Sequence, residues 1–215
     1  MSYPEIAPLG DSMVTVTFGE GISEELNRLV VARSRDVATA AMIGVSDIVA
    51  SYAAVGIHYD PLVIAYADLR DRLLSIFAEP SVAGDSLNGA TLHSIKVRYD
   101  GEDIAEVAQR TGLSVSDVIS IHSEREYRVY VTGFVPGFAY LGVLDERLAL
   151  PRRDSPRSKV PAGSVAIAER QTGIYPSMTP GGWHIIGNTD VRLFDPAREA
   201  PALFRAGDLV RFEPP

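Results

Sequence analysis

Residues 132–187 read TGFVPGFAYLGVLDERLALPRRDSPRSKVPAGSVAIAERQTGIYPSMTPGGWHIIG. Fourteen of these fifty-six residues are Gly or Pro, against eighteen in the rest of the chain, so the enrichment is local. Gly permits positive φ and close backbone approach, while Pro fixes φ and removes a donor. A linker would not alternate them with Phe134, Phe138, Tyr140, Tyr175 and Trp183, which need apolar surface to pack against. The stretch reads as ordered loops shaped over a β framework, where function concentrates.

Working outward, residues 127–132, 164–168, 183–186, 191–194 and 208–212 read as short strands separated by turn signals, a spacing that predicts a β-barrel or sandwich. Before them, 92–99 reads as a strand and 104–111 and 115–122 as short helices. Gly112 stops the first helix, and Ser114 or Ser116 caps the second. The N-terminal part has a different pattern. Residues 12–18 (SMVTVTF) alternate as a strand, and 22–41 carry a helical stripe of Ile22, Leu26, Leu29, Val30, Val37 and Ala41. Ser23 supplies the N-cap and Glu24 and Glu25 the first-turn acids. Residues 45–52 and 54–59 read as a hairpin, and 68–78 as a second helix with Leu69, Leu73, Ile76 and Phe77 inward. The order βαββα predicts a ferredoxin-like unit without its last strand. Residues 79–90, poor in large apolar side chains, read as the linker. The predicted organisation is a small α/β domain at 1–84 and a mainly β domain at 85–215.

Apolar residues make up 46% and charged residues 22%, the composition of a globular protein. A net charge of −8 argues against a nucleic-acid binder. The lack of cysteine excludes disulfides, thiolate nucleophiles and Cys-ligated zinc, and fits a reducing cytoplasm. The N-terminus MSYPEIAPLGDS has no signal-peptide character, and no apolar run approaches the roughly 20 residues of a membrane helix. These points predict a cytoplasmic chain without nucleic-acid or membrane partners. GxxxxGK[ST], GxGxxG after a strand, GxSxG and HExxH are all missing. His58, His93, His122 and His184 are scattered without metal-ligand spacing, so no metal is expected.

Each remaining motif has two readings. His122 is a general base or acid, or an imidazole at a helix C-terminus complementing the dipole; spacing favours the second. Phe134, Pro136, Phe138 and Tyr140 wall a pocket or partner interface, or form a core cluster at a barrel corner. Arg152, Arg153, Arg157 and Lys159, stiffened by Pro151, Pro156 and Pro161, grip a carboxylate or phosphate, or are a solvated basic loop. Ser164, Gln171 and Tyr175 read as hydrogen-bonding groups for a polar substrate, with Ser164 alternatively a turn cap. Gly181 and Gly182, before the sole Trp183, allow a ligand close to the backbone or a tight hairpin under the indole.

The run from His122 through GFVPGFAYLG, PRRDSPRSKVPAGSVAIA, QTGIYP and PGGWHIIGNTDVRLFDP resembles the allophanate hydrolase subunit 1 family, also described as the B-subunit group of 5-oxoprolinases and including the kinase inhibitor KipI. LGDSMVTVTFG, VSDIVASYAAVGIHYDP and YDGEDIAEVAQRTGLS fit as well. The resemblance implies a cyclophilin-like β-barrel at 85–215 and a heteromer with a subunit 2/C protein. It implies a LamB/YcsF-type third subunit and ATP-dependent opening of 5-oxoproline to glutamate. In that reading His122 moves protons and Gln171, Tyr175 and Ser164 orient the amide. Arg152, Arg157, Lys159, Gly181, Gly182 and Trp183 hold a small anionic substrate. Two alternatives stay open: a urea-carboxylase-like carboxyltransferase or allophanate hydrolase subunit, with biotin presented by another protein, and a KipI-like inhibitor of a histidine kinase. The chain departs from the family pattern at Ala50, where Pro is expected, and at Glu169, where Gly is expected.

Overall fold

The computed structural model describes residues 4–81 and 90–215. The chain divides into two compact units, residues 1–89 and 90–215. The expected boundary at 84, and most of the expected linker, lie outside the described residues.

The first unit contains β1 (Glu5–Pro8), β2 (Met13–Thr17), α1 (Glu24–Thr39), β3 (Val45–Ala50), β4 (Ala54–Tyr59) and α2 (Tyr66–Ala78). Its sheet runs β1-β2-β4-β3, antiparallel throughout. Alternation in MVTVT buries Val14 and Val16 completely. The Leu26 amide donates to Ser23 Oγ at 3.0 Å, which makes Ser23 the N-cap of α1. The apolar stripe of α1 is narrower than expected: Val30, Val31 and Val37 are buried, whereas Ile22 and Leu29 are exposed. Leu69 and Leu73 of α2 are buried as expected. Strand β1 is an addition to the expected order, because EIAP is short and ends in Pro. It survives on the sheet edge, where a missing N–H is tolerated.

The second unit contains β5 (Leu92–Lys96), α3 (Ile104–Thr111), α4 (Val115–Ser123), β6 (Glu126–Thr132), β7 (Ala139–Gly142), β8 (Arg157–Val160), β9 (Ser164–Ala168), β10 (Gln171–Ile174), β11 (Thr179–Gly181), β12 (His184–Asn188) and β13 (Leu209–Glu213). Seven strands form one curled sheet, β12-β9-β10-β7-β6-β13-β5, and β8 pairs with β11 separately. Only the β13–β5 pair within the large sheet is parallel. The expected strand at 191–194 is reduced to one bridge, Phe194 to Ala202. Pro201, beside that bridge, has no N–H to extend a ladder. Gly112 ends α3 at φ 72, and Ser114 and Asp117 form a capping box on α4.

The two ends of the curled sheet are joined beyond β5. Arg98 and Asn188 exchange backbone hydrogen bonds of 2.9 and 2.8 Å. Gly101 N–H then donates to Ile186 O at 3.2 Å, and Asp103 N–H to Ile185 O at 2.9 Å. This seam leaves no room for a side chain at Gly101: a Cβ there would collide with the backbone of Ile185 and Ile186.

All five residues of β9 are buried, because both faces of the strand are covered. Val165 and Ile167 enter a core shared with Val107 of α3 and Val118 and Ile121 of α4. Ala166 and Ala168 enter a second core with Phe138, Tyr175, Trp183 and Ile185.

Gly101→Ala is expected to lower unfolding stability by more than about 3 kcal/mol, because backbone and not side chain must yield. Gly112→Ala, which meets open space but keeps a positive φ, should cost about 1–2 kcal/mol. Urea unfolding of the two variants measures the difference.

Candidate functional site

The β6–β7 turn and the β11–β12 turn enclose a cavity of about 230 Å³ on the second core. It is lined by Phe134, Phe138, Tyr140, Arg152, Pro156, Tyr175, Pro180, Gly181, Gly182 and Trp183. Phe138 is the hub, edge-on to Phe134, Tyr140, Tyr175 and Trp183 at centroid distances of 5.6, 4.9, 5.5 and 5.7 Å. Edge-to-face pairing suits the ring quadrupoles and locks the wall. Gly173 of β10 lies behind Phe138 and Trp183, where a Cβ would be within 3.1 and 3.3 Å of their rings. Phe134 sits at φ 73 and is 59% exposed at the rim. A ring held in the left-handed region and left in water is backbone strain at the rim of the cavity.

Tyr175 is almost fully buried, and burial pushes its hydroxyl pKa up, against an opposing hydrogen bond from the Trp183 backbone. Gly181 packs directly on the Tyr175 ring, so a Cβ there would collide with the hydroxyl, whereas at Gly182 the nearest atom, Pro156 Cβ, is 3.5 Å away. The first glycine is required by packing; the second leaves space beside the cavity.

The cationic loop is divided. Arg152 alone of its four cations lines the cavity, with Nε 3.7 Å from the exposed Glu169 carboxylate. Arg157 is held by Asp103 and Glu102 at 2.6 and 2.8 Å, and Arg153 by Asp103 and Glu106 at 2.9 and 3.2 Å. Lys159 is exposed on β8. Glu169, where the family pattern has Gly, adopts φ 54 in the β9–β10 turn, a backbone state at home with Gly. Ala50 closes edge strand β3. Ser164, at the start of β9, and Gln171, at the start of β10, are buried but do not line the cavity. Pro136 lines a separate shallow recess with Phe194 and Ala202.

His122 is also apart from the cavity, on the opposite face of β10. Thr172 and Ile174 face its core, whereas Gly173 and Tyr175 face the rings. Its imidazole is fully buried and stacked on Phe212 at 4.5 Å. Thr172 Oγ1 donates its proton to Ala166 O at 3.1 Å, so it accepts from His122 Nε2 at 2.9 Å. Nδ1 therefore accepts from the Tyr99 hydroxyl at 2.8 Å. Burial pushes the His122 pKa down to about 3. In this environment the imidazole is neutral, with both ring nitrogens hydrogen-bonded and no contact with the cavity. Tyr99 and Thr172, which fix this tautomer, and Asp103, which anchors the arginine loop, carry no local motif by which a sequence would reveal them. Among the described residues no group of three or more His, Asp or Glu is placed to hold a metal ion, and no helix is long and apolar enough to cross a membrane.

The fold is shared with solved structures. The crystal structure of Kluyveromyces lactis urea amidolyase shares the fold over 98% of this chain and 15% of its own, with a TM-score of 0.76 at 16% identity. The structure of TTHA0988 matches at TM-score 0.85 and 42% identity over 94% of this chain; the present chain spans 40% of that longer one. The B subunit of Bacillus subtilis 5-oxoprolinase is 38% identical over 97% of this chain and 91% of its own length. Residues 4–204 match the family described as carboxyltransferase domain, subdomain C and D. The chain belongs to that carboxyltransferase-domain family, the family of the 5-oxoprolinase B subunits.

Two outcomes follow from the geometry. The His122 pKa is depressed in the folded chain relative to the ordinary value of about 6.5 when unfolded. Its stabilising contribution is therefore complete above pH 6.5 and is lost as pH falls from there towards 3, at about 1.4 kcal/mol per unit. His122→Gln should flatten the stability–pH slope between pH 6.5 and 5, read as urea midpoints. In the second test, Gly181→Ala should broaden and shift Trp183 fluorescence through displacement of Tyr175, and Gly182→Ala should leave the spectrum unchanged.

Proposed function

We propose that the chain is the cavity-bearing subunit of a 5-oxoprolinase-type hydrolase, active when joined to its 2/C partner protein and a LamB/YcsF-type third subunit. The observation that carries this reading is the cavity itself, together with the relationship to the 5-oxoprolinase B subunits. About 230 Å³ is below the range of about 300–1,000 Å³ typical of drug-sized ligands, which suits a five-membered cyclic amide. Five rings face the ring methylenes and exclude water. Arg152 at the mouth pairs with the substrate carboxylate, bidentate where geometry allows. The Tyr175 hydroxyl, kept protonated by burial, donates to the amide oxygen and stabilises the negative charge that develops there.

Among the described residues, those lining the cavity include no carboxylate and no imidazole. In this reading the lining binds and polarises the amide, and the group that takes a proton from water lies beyond it. A nucleoside triphosphate does not fit this volume, and no step at this site is assigned to ATP. Likeness to urea amidolyase at 16% identity speaks to fold alone and supplies no ground for biotin chemistry here.

The test is the assembled three-protein mixture, assayed for glutamate and ADP formed from 5-oxoproline. Wild type should form both. Arg152→Ala should raise KM about tenfold with kcat little changed, since a charged hydrogen bond contributes about 1.5–3 kcal/mol. Tyr175→Phe should lower kcat by about 100-fold. No 5-oxoproline-dependent ADP release from the wild-type mixture overturns the proposal; recovery of a histidine kinase in place of the 2/C partner would then favour the inhibitor reading.

A further inference from the structure

Asp103 lies outside the cavity, at the start of α3, and is 3% exposed. Its carboxylate serves three arms. Oδ1 accepts from Arg153 Nη1 at 2.9 Å and from Arg157 Nη2 at 2.6 Å. Oδ2 accepts from the Ile185 amide at 2.7 Å. Each arm ends beside a cavity wall. Arg152 precedes Arg153, Pro156 precedes Arg157, and Trp183 stands two residues before Ile185. The Arg153 amide adds a bond to Gly182 O at 2.8 Å, tying the loop to the turn across the recess.

Backbone pairing of Gly181 with Arg157 and the His184 Nε2 bond to Pro151 O at 2.9 Å also tie the walls, but Asp103 gathers all three arms at one buried carboxylate. Arg153 Nε and Arg157 Nη1 are buried and have no hydrogen-bond partner among the described residues. The remaining anchors of the two guanidiniums, Glu106 and Glu102, are 43% and 59% exposed and cannot substitute for a dry carboxylate. Without Asp103, two half-buried cations would face each other at one point and the Ile185 amide would be orphaned.

We infer that Asp103 is a positioning residue for the cavity: through Arg153, Arg157 and the Ile185 amide, it sets the spacing of Arg152, Pro156 and Trp183 that admits substrate. The inference rests on the cavity being the substrate site proposed above. Asp103 touches no substrate; it acts by holding both walls from behind, about fifty residues away from the loop in sequence.

The test uses Asp103→Asn, which keeps shape and one acceptor but removes the charge. Trp183 is the only tryptophan of the chain, so fluorescence of the purified protein reports on the wall directly. The variant should show greater acrylamide quenching of Trp183 than wild type at unchanged far-ultraviolet circular dichroism. In the assembled complex it should raise KM for 5-oxoproline by about tenfold or more, with kcat kept within about threefold. A folded variant with a lowered melting temperature but wild-type quenching and wild-type KM overturns the inference, since that is the signature of a purely structural role. If Asp103→Asn fails to fold, Arg153→Gln, which removes one arm, is read the same way. Should the wild-type complex prove inactive on 5-oxoproline, the proposed function falls, and the Trp183 quenching comparison still decides whether Asp103 sets the wall.

Discussion

Burial of the β9–β10 hairpin on both faces is the constraint on which the second unit depends. A strand with one wet face can alternate; a strand with two dry faces cannot, and SVAIA accordingly carries no charge and one small hydroxyl. Alternation still operates, because it sorts side chains between two cores instead of between core and water. Small residues, Ala166, Ala168 and Gly173, face the rings and leave volume there, while Val165, Ile167 and Ile174 fill the helix side. The rings that wall the recess pack against residues with little or no side chain. The same sorting puts Thr172 and His122 on the far side of the sheet from the cavity.

Electrostatics then fixes what packing leaves adjustable. The loop at 151–159 is cationic in sequence, but in the fold its charge is largely answered. Asp103, Glu102 and Glu106 face Arg153, Arg157 and Arg110, three acids against three bases. Removing Asp103, the one buried acid of this set, is costly, about 3–5 kcal/mol, whereas an exposed pair such as Arg152–Glu169 contributes about 0–1 kcal/mol. The loop thus has a rigid half that builds and a loose half that is free to meet an anion. Arg152 is the loose half.

Much of this is legible in the sequence where the signal is local. The bounds of α3, its Gly112 stop, a serine cap at 114 or 116, and strands at 127–132, 164–168 and 208–212 follow from periodicity and capping chemistry, and the observed elements lie within a residue of them. The Gly- and Pro-rich stretch contributes every cavity-lining residue, since only ordered loops carry rings and glycines together. What stays hidden depends on partners distant in the chain. Asp103, the residue just before α3, gives no sign of its partners Arg153 and Arg157, fifty and more residues away. His122 reads as a general base or acid or, as its spacing favours, an imidazole complementing a helix end; its hydrogen bonds to Tyr99 and Thr172 are not legible in the sequence. Strand β1 and the failed strand at 191–194 escape sequence reading for one reason: whether a Pro is tolerated depends on which edge it faces, which a single segment does not record.

The neutral, locked imidazole has a consequence for acid–base behaviour of the whole assembly. The cavity lining itself offers one guanidinium, aromatic rings, two prolines and two glycines, none of which ordinarily changes ionisation between about pH 5 and 8. His122, a nearby side chain whose type would normally do so, is held uncharged behind the sheet. Affinity of the recess for an anionic amide should therefore be flat across that range. If the recess is the substrate site proposed above, a bell in a pH–rate profile has its origin in groups outside the recess lining.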